Sequence, residues 1–234
     1  MDEKGRTPWE MVAESTVMLN AGNDTTQTTL ANNIFLLATN PEAQTKLRNI
    51  LLESLPEAEI PVASYQTLSQ IPYLRALLDE TFRVMTPQRF GLPRRTVQTS
   101  VIAGHTIVPD VTVSSPLSEL HFYRDLFLKP REWTPERWLP DNPDFTDTER
   151  RNLKDYVMPF TAGPRACIGR NLAYMKISIA LAALVLSFEW FMDDGPVEDN
   201  FGQFERITSN PTKLIVKAIP CDRLGKINPL ERTE

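Results

Sequence analysis

The sequence predicts a mainly α-helical fold with a minor β component. Long segments carry helix-type spacing of apolar residues between recognisable start and stop signals. Strand-type alternation is confined to residues 95–113 and to the tail after Phe191. Nineteen prolines against nine glycines point to stiff connections between helices rather than to many tight hairpins.

The elements follow in order. Thr7-Pro8-Trp9-Glu10 reads as a helix start, with Thr7 as cap, Pro8 in the first turn and Glu10 three residues past the cap. The helical pattern continues to about Thr39. Asn40-Pro41-Glu42 ends it and caps the next helix, which runs to about Ser54, and residues 56–63 read as a loop. Ile71-Pro72-Tyr73 starts a helix that reaches about Val84 and is stopped by Thr86-Pro87. From Arg95 to Val113 the period changes to two, with Val, Ile and Thr enriched and Ala103-Gly104-His105 as a turn. A short helix is expected over Leu117 to Tyr123. Residues 129–148, rich in proline and acidic side chains, are expected to be mostly irregular. The most apolar stretch, Leu172 to Phe191, is interrupted by Lys176 and Glu189 and reads as a buried helix rather than a membrane span. In the tail, the clearest strand is Lys213 to Ile219.

Composition narrows the function classes. Of 234 residues, 41% are hydrophobic and 24% charged, an ordinary globular balance. A net charge of -5 argues against a nucleic-acid partner, which favours a basic face. Two cysteines, Cys167 and Cys221, do not make the disulfide framework of a small secreted domain, and an intracellular setting is expected. With only His105 and His121, a multi-histidine metal site is excluded. The N-terminus shows no apolar signal region.

One loop concentrates chemistry: Phe160-Thr161-Ala162-Gly163-Pro164-Arg165-Ala166-Cys167-Ile168-Gly169. A thiolate near neutral pH needs help, and a helix N-terminus and a nearby cation both supply it. Cys167 stands just ahead of the long apolar helix, and Arg165 is two residues away. Gly163 and Gly169 suit a tight turn and close approach to a flat ligand, and Phe160 is placed to pack beside the sulfur. A cysteine taken at random is more often a small buried hydrophobe. These neighbours argue for a ligand.

The spacing resembles the haem-binding signature of the cytochromes P450, F-x-x-G-x-R-x-C-x-G, and Phe160, Gly163, Arg165, Cys167 and Gly169 fill every fixed position. The resemblance implies haem b as cofactor, with Cys167 as axial iron ligand and Arg165 on a haem propionate. Three weaker motifs occur in the family's order. Ala21-Gly22-Asn23-Asp24-Thr25-Thr26 is poor helix material inside the first long helix, and a local bulge is one way to accommodate it. It resembles the family's oxygen-activation motif. That implies room over the iron at Ala21 and Gly22, a hydrogen bond from Thr25 to bound oxygen or water, and proton relay by Asp24. Glu80-Thr81-Phe82-Arg83 places Glu80 and Arg83 on one helix face and resembles E-x-x-R. Pro135-Glu136-Arg137-Trp138 resembles P-E-R-F/W. Together they imply a structural trio of Glu80, Arg83 and Arg137 behind the cysteine loop. In Leu92-Pro93-Arg94-Arg95, the resemblance favours Arg94 as a second propionate partner. His121 is expected to be structural.

The resemblance covers the chain from Trp9 to about Val216, and Gly169-Arg170-Asn171-Leu172-Ala173-Tyr174-Met175 looks most like fungal microsomal members. It maps residues 1–234 onto a single C-terminal portion of the family's fold, without the N-terminal half, its early helices and its membrane anchor. The implied activity is insertion of one oxygen atom from O2 into a small organic substrate, in secondary metabolism, with electrons from NADPH-cytochrome P450 reductase. The full-length family resides on the endoplasmic reticulum membrane, whereas a chain without the anchor is expected in the cytoplasm. The alternative is a non-catalytic fragment that binds haem weakly or not at all. A peroxygenase or isomerase is less favoured, because Asp24 and Thr25 suit proton delivery to bound dioxygen. Substrate-lining residues are expected before Gly22, over residues 86–93 and over residues 204–209.

Overall fold

A computed structural model describes residues 5–194, 197, 201–205 and 208–222. Helix α1 (Pro8–Thr39) opens as the sequence predicts. The Thr7 hydroxyl accepts the Glu10 amide at 3.3 Å, and the Glu10 carboxylate accepts the Thr7 amide at 2.7 Å. Its first half carries no buried residue, and burial begins at Thr28. Helix α2 (Pro41–Ser54) follows at once, but Asn40 does not cap it with its side chain. The Asn40 amide instead donates back to Leu36 O at 2.8 Å and closes the last turn of α1. Within the expected loop over residues 56–63, Glu57–Glu59 form a 3-10 turn. A short α3 (Tyr65–Leu68), capped by Ser64, precedes α4 (Pro72–Val84), whose bounds match the expectation.

The small strands form two separate antiparallel pairs. Strand β1 (Arg94–Arg95) pairs with β4 (Thr112–Val113), and β2 (Ser100–Ile102) pairs with β3 (His105–Ile107) across the expected turn. Helix α5 (Leu117–His121) ends two residues before the expected Tyr123. Pro135–Trp138 adopt a 3-10 turn in the mostly irregular segment. That segment ends sooner than expected, because α6 (Asp147–Tyr156) starts inside it, capped by Thr146.

Helix α7 (Arg170–Ser187) stops four residues short of the expected Phe191. The chain turns extended as β5 (Phe188–Met192) because α2 supplies bonding partners to its backbone. Arg48 donates to Val185 O at 2.9 Å and Phe188 O at 2.7 Å, and the Gln44 amide both donates to Trp190 O at 2.9 Å and accepts Trp190 N–H at 2.7 Å. One glutamine side chain thus stands in for a neighbouring strand. The aromatic run Phe188-Glu189-Trp190-Phe191 also suits a strand. In the tail, β6 (Phe201–Glu205) pairs with β7 (Ser209–Leu214), and β8 (Val216–Pro220) pairs with β5. The expected single strand over 213–219 is therefore split at Ile215 between two sheets.

The core lies where α1, α2, α4 and α7 meet, around Leu37, Leu47, Leu51, Leu74, Leu77, Leu78, Ile177, Leu181 and Val185. Among the described residues α7 is the one helix long and apolar enough to cross a membrane. Its Ile177, Leu181, Val185 and Leu186 are buried in this core, as expected for a buried helix.

Candidate functional site

The second half of α1 passes over the cysteine loop and encloses a cavity of about 260 Å³. Ala21, Thr25, Thr26 and Thr29 form one wall. Pro159, Phe160, Thr161, Arg165 and Cys167 of the cysteine loop line the same cavity. Phe82, Pro87, Leu92, Ala173 and Ile177 make the remaining lining largely apolar. A larger groove of about 1060 Å³ lies between α2 and the β5–β8 pair, but no cysteine or histidine lines it. Cys167, Arg165 and Thr25 line the smaller cavity.

The loop is closed by the Cys167 amide, which donates to Phe160 O at 2.9 Å. The Thr161 hydroxyl donates to Arg165 O at 3.2 Å, and Ala166 N–H bonds Gly163 O at 3.0 Å. Thr161 and Gly163 both have positive φ, 57° and 76°. Gly169 does not share in the turning. It is the residue before α7, with φ -83°, and a Cβ there would meet the Cys167 sulfur at an ordinary 3.8 Å. Cys167 itself is exposed, and Phe160 lies half-buried behind it, ring against Phe82 at 5.0 Å.

The polar run in α1 stays α-helical throughout, without the bulge considered from sequence. Its hydroxyls are absorbed by the helix itself. Thr25 donates to Ala21 O at 2.8 Å, Thr29 to Thr25 O at 2.9 Å, and the Asn33 amide to Thr29 O at 2.8 Å. Nothing lies within 4 Å of a Cβ built on Gly22. Asp24 points elsewhere than Thr25. Its carboxylate accepts the Thr208 hydroxyl at 2.7 Å, beside β7, and it is not part of the cavity wall.

Behind the loop, Glu80, Arg83 and Arg137 come together fully buried. Glu80 Oε1 accepts Arg83 Nη2 at 2.7 Å, Arg137 Nε at 3.1 Å and the Thr134 amide at 3.0 Å. Its Oε2 accepts Arg83 Nε at 2.9 Å and Trp138 Nε1 at 2.9 Å. Arg83 also donates to the backbone carbonyls of His121, Pro130 and Glu132, and Arg137 to those of Leu128 and Lys129. Glu149 on α6 completes the cluster, accepting Arg137 Nη1 at 3.2 Å. Two carboxylates thus balance two guanidiniums. Sequence reasoning missed Glu149, although Thr146-Asp147-Thr148-Glu149 carries a helix-start signal that would have placed it.

His121 ties this cluster to the cysteine loop. It is fully buried, its Nδ1 lies 3.1 Å from Arg83 O, and its Nε2 accepts the Met158 amide at 3.3 Å. Only the neutral ring with its proton on Nδ1 satisfies both partners. Burial pushes its pKa down to about 4.

Arg94 is not brought to the cavity wall. Its guanidinium donates to Pro93 O at 3.1 Å and Leu92 O at 3.4 Å, and it lines an adjoining cavity of about 360 Å³ that shares Leu92 and Thr161 with the first. Of the expected substrate-lining residues, Ala21, Pro87, Gln88 and Leu92 do line the cavity. Residues 206–207 and the side chains of 204–205 lie outside the described residues.

The donor set fits a haem. Among the described residues no group of three or more His, Cys, Asp or Glu side chains could hold a metal, and Cys167 offers a single sulfur donor to the cavity. The lining is apolar and the Arg165 side chain has no hydrogen-bond or ion-pair partner among the described residues. A flat apolar macrocycle with peripheral carboxylates suits both features.

Comparison with known proteins agrees. The cytochrome P450 family model matches residues 2–218. Over 193 residues the chain is 33% identical to a trichothecene C-4 hydroxylase of Trichoderma arundinaceum, covering 80% of this chain and 38% of that protein. It is 36% identical over 183 residues to the cytochrome P450 monooxygenase btcC of Neocamarosporium betae, covering 76% and 34%. It is 33% identical over 198 residues to the benzoate 4-monooxygenase bphA of Aspergillus niger, covering 82% and 37%. A crystal structure of a cytochrome P450 (CYP102L1) superposes with a TM-score of 0.74 at 27% identity, covering 87% of this chain and 44% of that one. The chain therefore spans well under half the length of these curated relatives.

Proposed function

The chain belongs to the cytochrome P450 family, and from that premise we propose that it serves as the haem-thiolate part of a monooxygenase that inserts one oxygen atom from O2 into a small organic molecule. The observation that carries this reading is that Cys167 and Thr25, far apart in sequence, line one largely apolar cavity. The similarity to fungal hydroxylases and monooxygenases supports a role in secondary metabolism. NADPH-cytochrome P450 reductase is the proposed electron donor, and the endoplasmic reticulum membrane the proposed location of the full-length protein.

Haem b, when bound, supplies the activation of dioxygen, and a thiolate ligand favours O–O cleavage. The reaction consumes two electrons and two protons for each substrate hydroxylated, with the second oxygen atom leaving as water. The chain's own residues handle position and protons. Cys167 offers its sulfur from the loop that the Phe160 carbonyl closes. Arg165 offers a guanidinium to a propionate, and Phe82 and Phe160 add apolar lining to the cavity that Cys167 shares. Arg94, one cavity away, would need to swing off the Leu92 and Pro93 carbonyls to reach a second propionate. Thr25 spends its own hydrogen on Ala21 O, so its oxygen presents lone pairs and orients the hydrogen of a water in the cavity. Asp24, one residue along and bonded to Thr208 outside the cavity, would have to leave that hydroxyl to pass protons from solvent toward that water.

The test is the ferrous carbon monoxide spectrum of the haem-loaded chain, and of the same chain joined to the N-terminal segment of the Trichoderma relative. A thiolate-type Soret band that Cys167→Ser abolishes is the expected result. Its absence from both proteins overturns the proposal.

A further inference from the structure

The cysteine loop is exposed, and Ile168 beside the cysteine is 95% exposed, so something beneath the loop must fix its geometry. Phe160 provides the contact. Its carbonyl takes the Cys167 amide, and its ring lies 5.0 Å from Phe82 and 5.3 Å from Tyr174. Tyr174 is the most constrained of the three. It is 5% exposed, meets Phe82 edge-on at 5.5 Å, and carries the Arg75 guanidinium 4.0 Å over its ring. Its hydroxyl donates to Asp79 Oδ1 at 2.5 Å, and Asp79 Oδ2 accepts Arg75 Nε at 2.8 Å. The tip, face and edge of the ring are therefore all held, with the tip anchored on α4 while the residue itself belongs to α7.

We propose that Tyr174 is a positioning residue for the cysteine loop: pinned through its hydroxyl to Asp79, it fixes the ring of Phe160 and so the loop-closing bond that aims the Cys167 sulfur into the cavity. Removing the hydroxyl alone frees the tip. The ring can then slide along Phe160, and the loop opens more often. The proposal deepens the reading of Cys167 as the reactive end of the site, but it concerns the loop itself and is measurable without haem.

The experiment is amide hydrogen exchange at Cys167 in the full chain, for Tyr174→Phe, Asp79→Asn and Asp79→Leu. Asparagine keeps an acceptor for the tyrosine and loses the ion pair with Arg75, whereas leucine loses both. Tyr174→Phe and Asp79→Leu should each speed exchange at Cys167 about fivefold, the effect of one lost hydrogen bond, while amides in α4 and α7 keep their protection. Asp79→Asn should stay close to the parent rate. In the haem-loaded protein the same two variants should convert part of the thiolate-type carbon monoxide band to the non-thiolate form. An unchanged Cys167 rate in Tyr174→Phe, or an equal loss of protection throughout α4 and α7, overturns the proposal. If Tyr174→Phe does not fold, equal exchange in the two Asp79 variants overturns it. Localised exchange at Cys167 together with no haem binding in any protein would uphold this inference and defeat the proposed function.

Discussion

Replacing Glu80 with glutamine removes one negative charge from a site with no solvent exposure and leaves Arg83 and Arg137 balanced only by Glu149. The carboxylate accepts five donors, three at Oε1 and two at Oε2. An amide keeps one oxygen and turns hydrogens toward the others, so at least two donors lose their acceptor whichever way it is oriented. Each orphaned buried donor costs about 1–3 kcal/mol, in line with about 3–5 kcal/mol for breaking a buried ion pair. We expect a loss of about 4 kcal/mol, a large share of the ~5–15 kcal/mol that holds a domain of this kind together. In equilibrium urea unfolding, a slope of about 2 kcal/mol per molar converts this to a midpoint lower by about 2 M. Glu136→Gln is the control. Glu136 pairs with Lys46 at a half-exposed site, and its loss should cost under about 1 kcal/mol. A Glu80→Gln midpoint within about 0.5 M of the parent would refute the reasoning that the cluster depends on this charge.

Two further outcomes are expected. His121 is neutral in the fold with a pKa of about 4 against 6.5 when unfolded, so its contribution is complete above pH 6.5 and fades as pH falls toward 4. The loss between pH 7 and pH 4.5 is about 2.5 kcal/mol, and paired urea titrations of the parent and His121→Gln should show it as the difference in their pH dependence. Gly91 has φ +68°, and a Cβ there would lie 2.1 Å from the Ser115 carbonyl oxygen, whereas Gly104 with φ +82° has open space. Gly104→Ala should cost about 1 kcal/mol for backbone conformation alone. Gly91→Ala should cost more than about 3 kcal/mol by thermal denaturation, because the backbone itself must move.

The helices were legible because their ends carry local chemistry. Thr7, Pro8 and Glu10 start α1, Pro72 starts α4, and Thr86-Pro87 stops it, all through contacts a few residues long. The cysteine loop was legible because its chemistry needs Phe160, Gly163, Arg165 and Cys167 at fixed spacing in one short segment. What failed was whatever depends on partners distant in sequence. The helix after Cys167 reads as apolar to Phe191, yet it ends at Ser187 because Gln44 and Arg48, some 140 residues earlier, bond the following backbone. The bulge considered around Gly22 is a local miss of another kind: the segment stays helical, with Thr25, Thr29 and Asn33 bonded to the helix's own carbonyls. Thr146 to Glu149 mark a helix start, but the meeting of Glu149 with Arg137 and the His121 bridge to Met158 were invisible, since no spacing rule links those partners. Sequence alone determined which side chains are candidates for the chemistry, because their identities and local spacing are covalent facts. Only the tertiary structure decided which of them meet: it put Thr25 and Cys167 on the lining of one cavity, turned Asp24 away toward Thr208, left Arg94 in the next cavity and gathered four buried charges into a neutral cluster. Such meetings depend on how distant segments pack and desolvate one another.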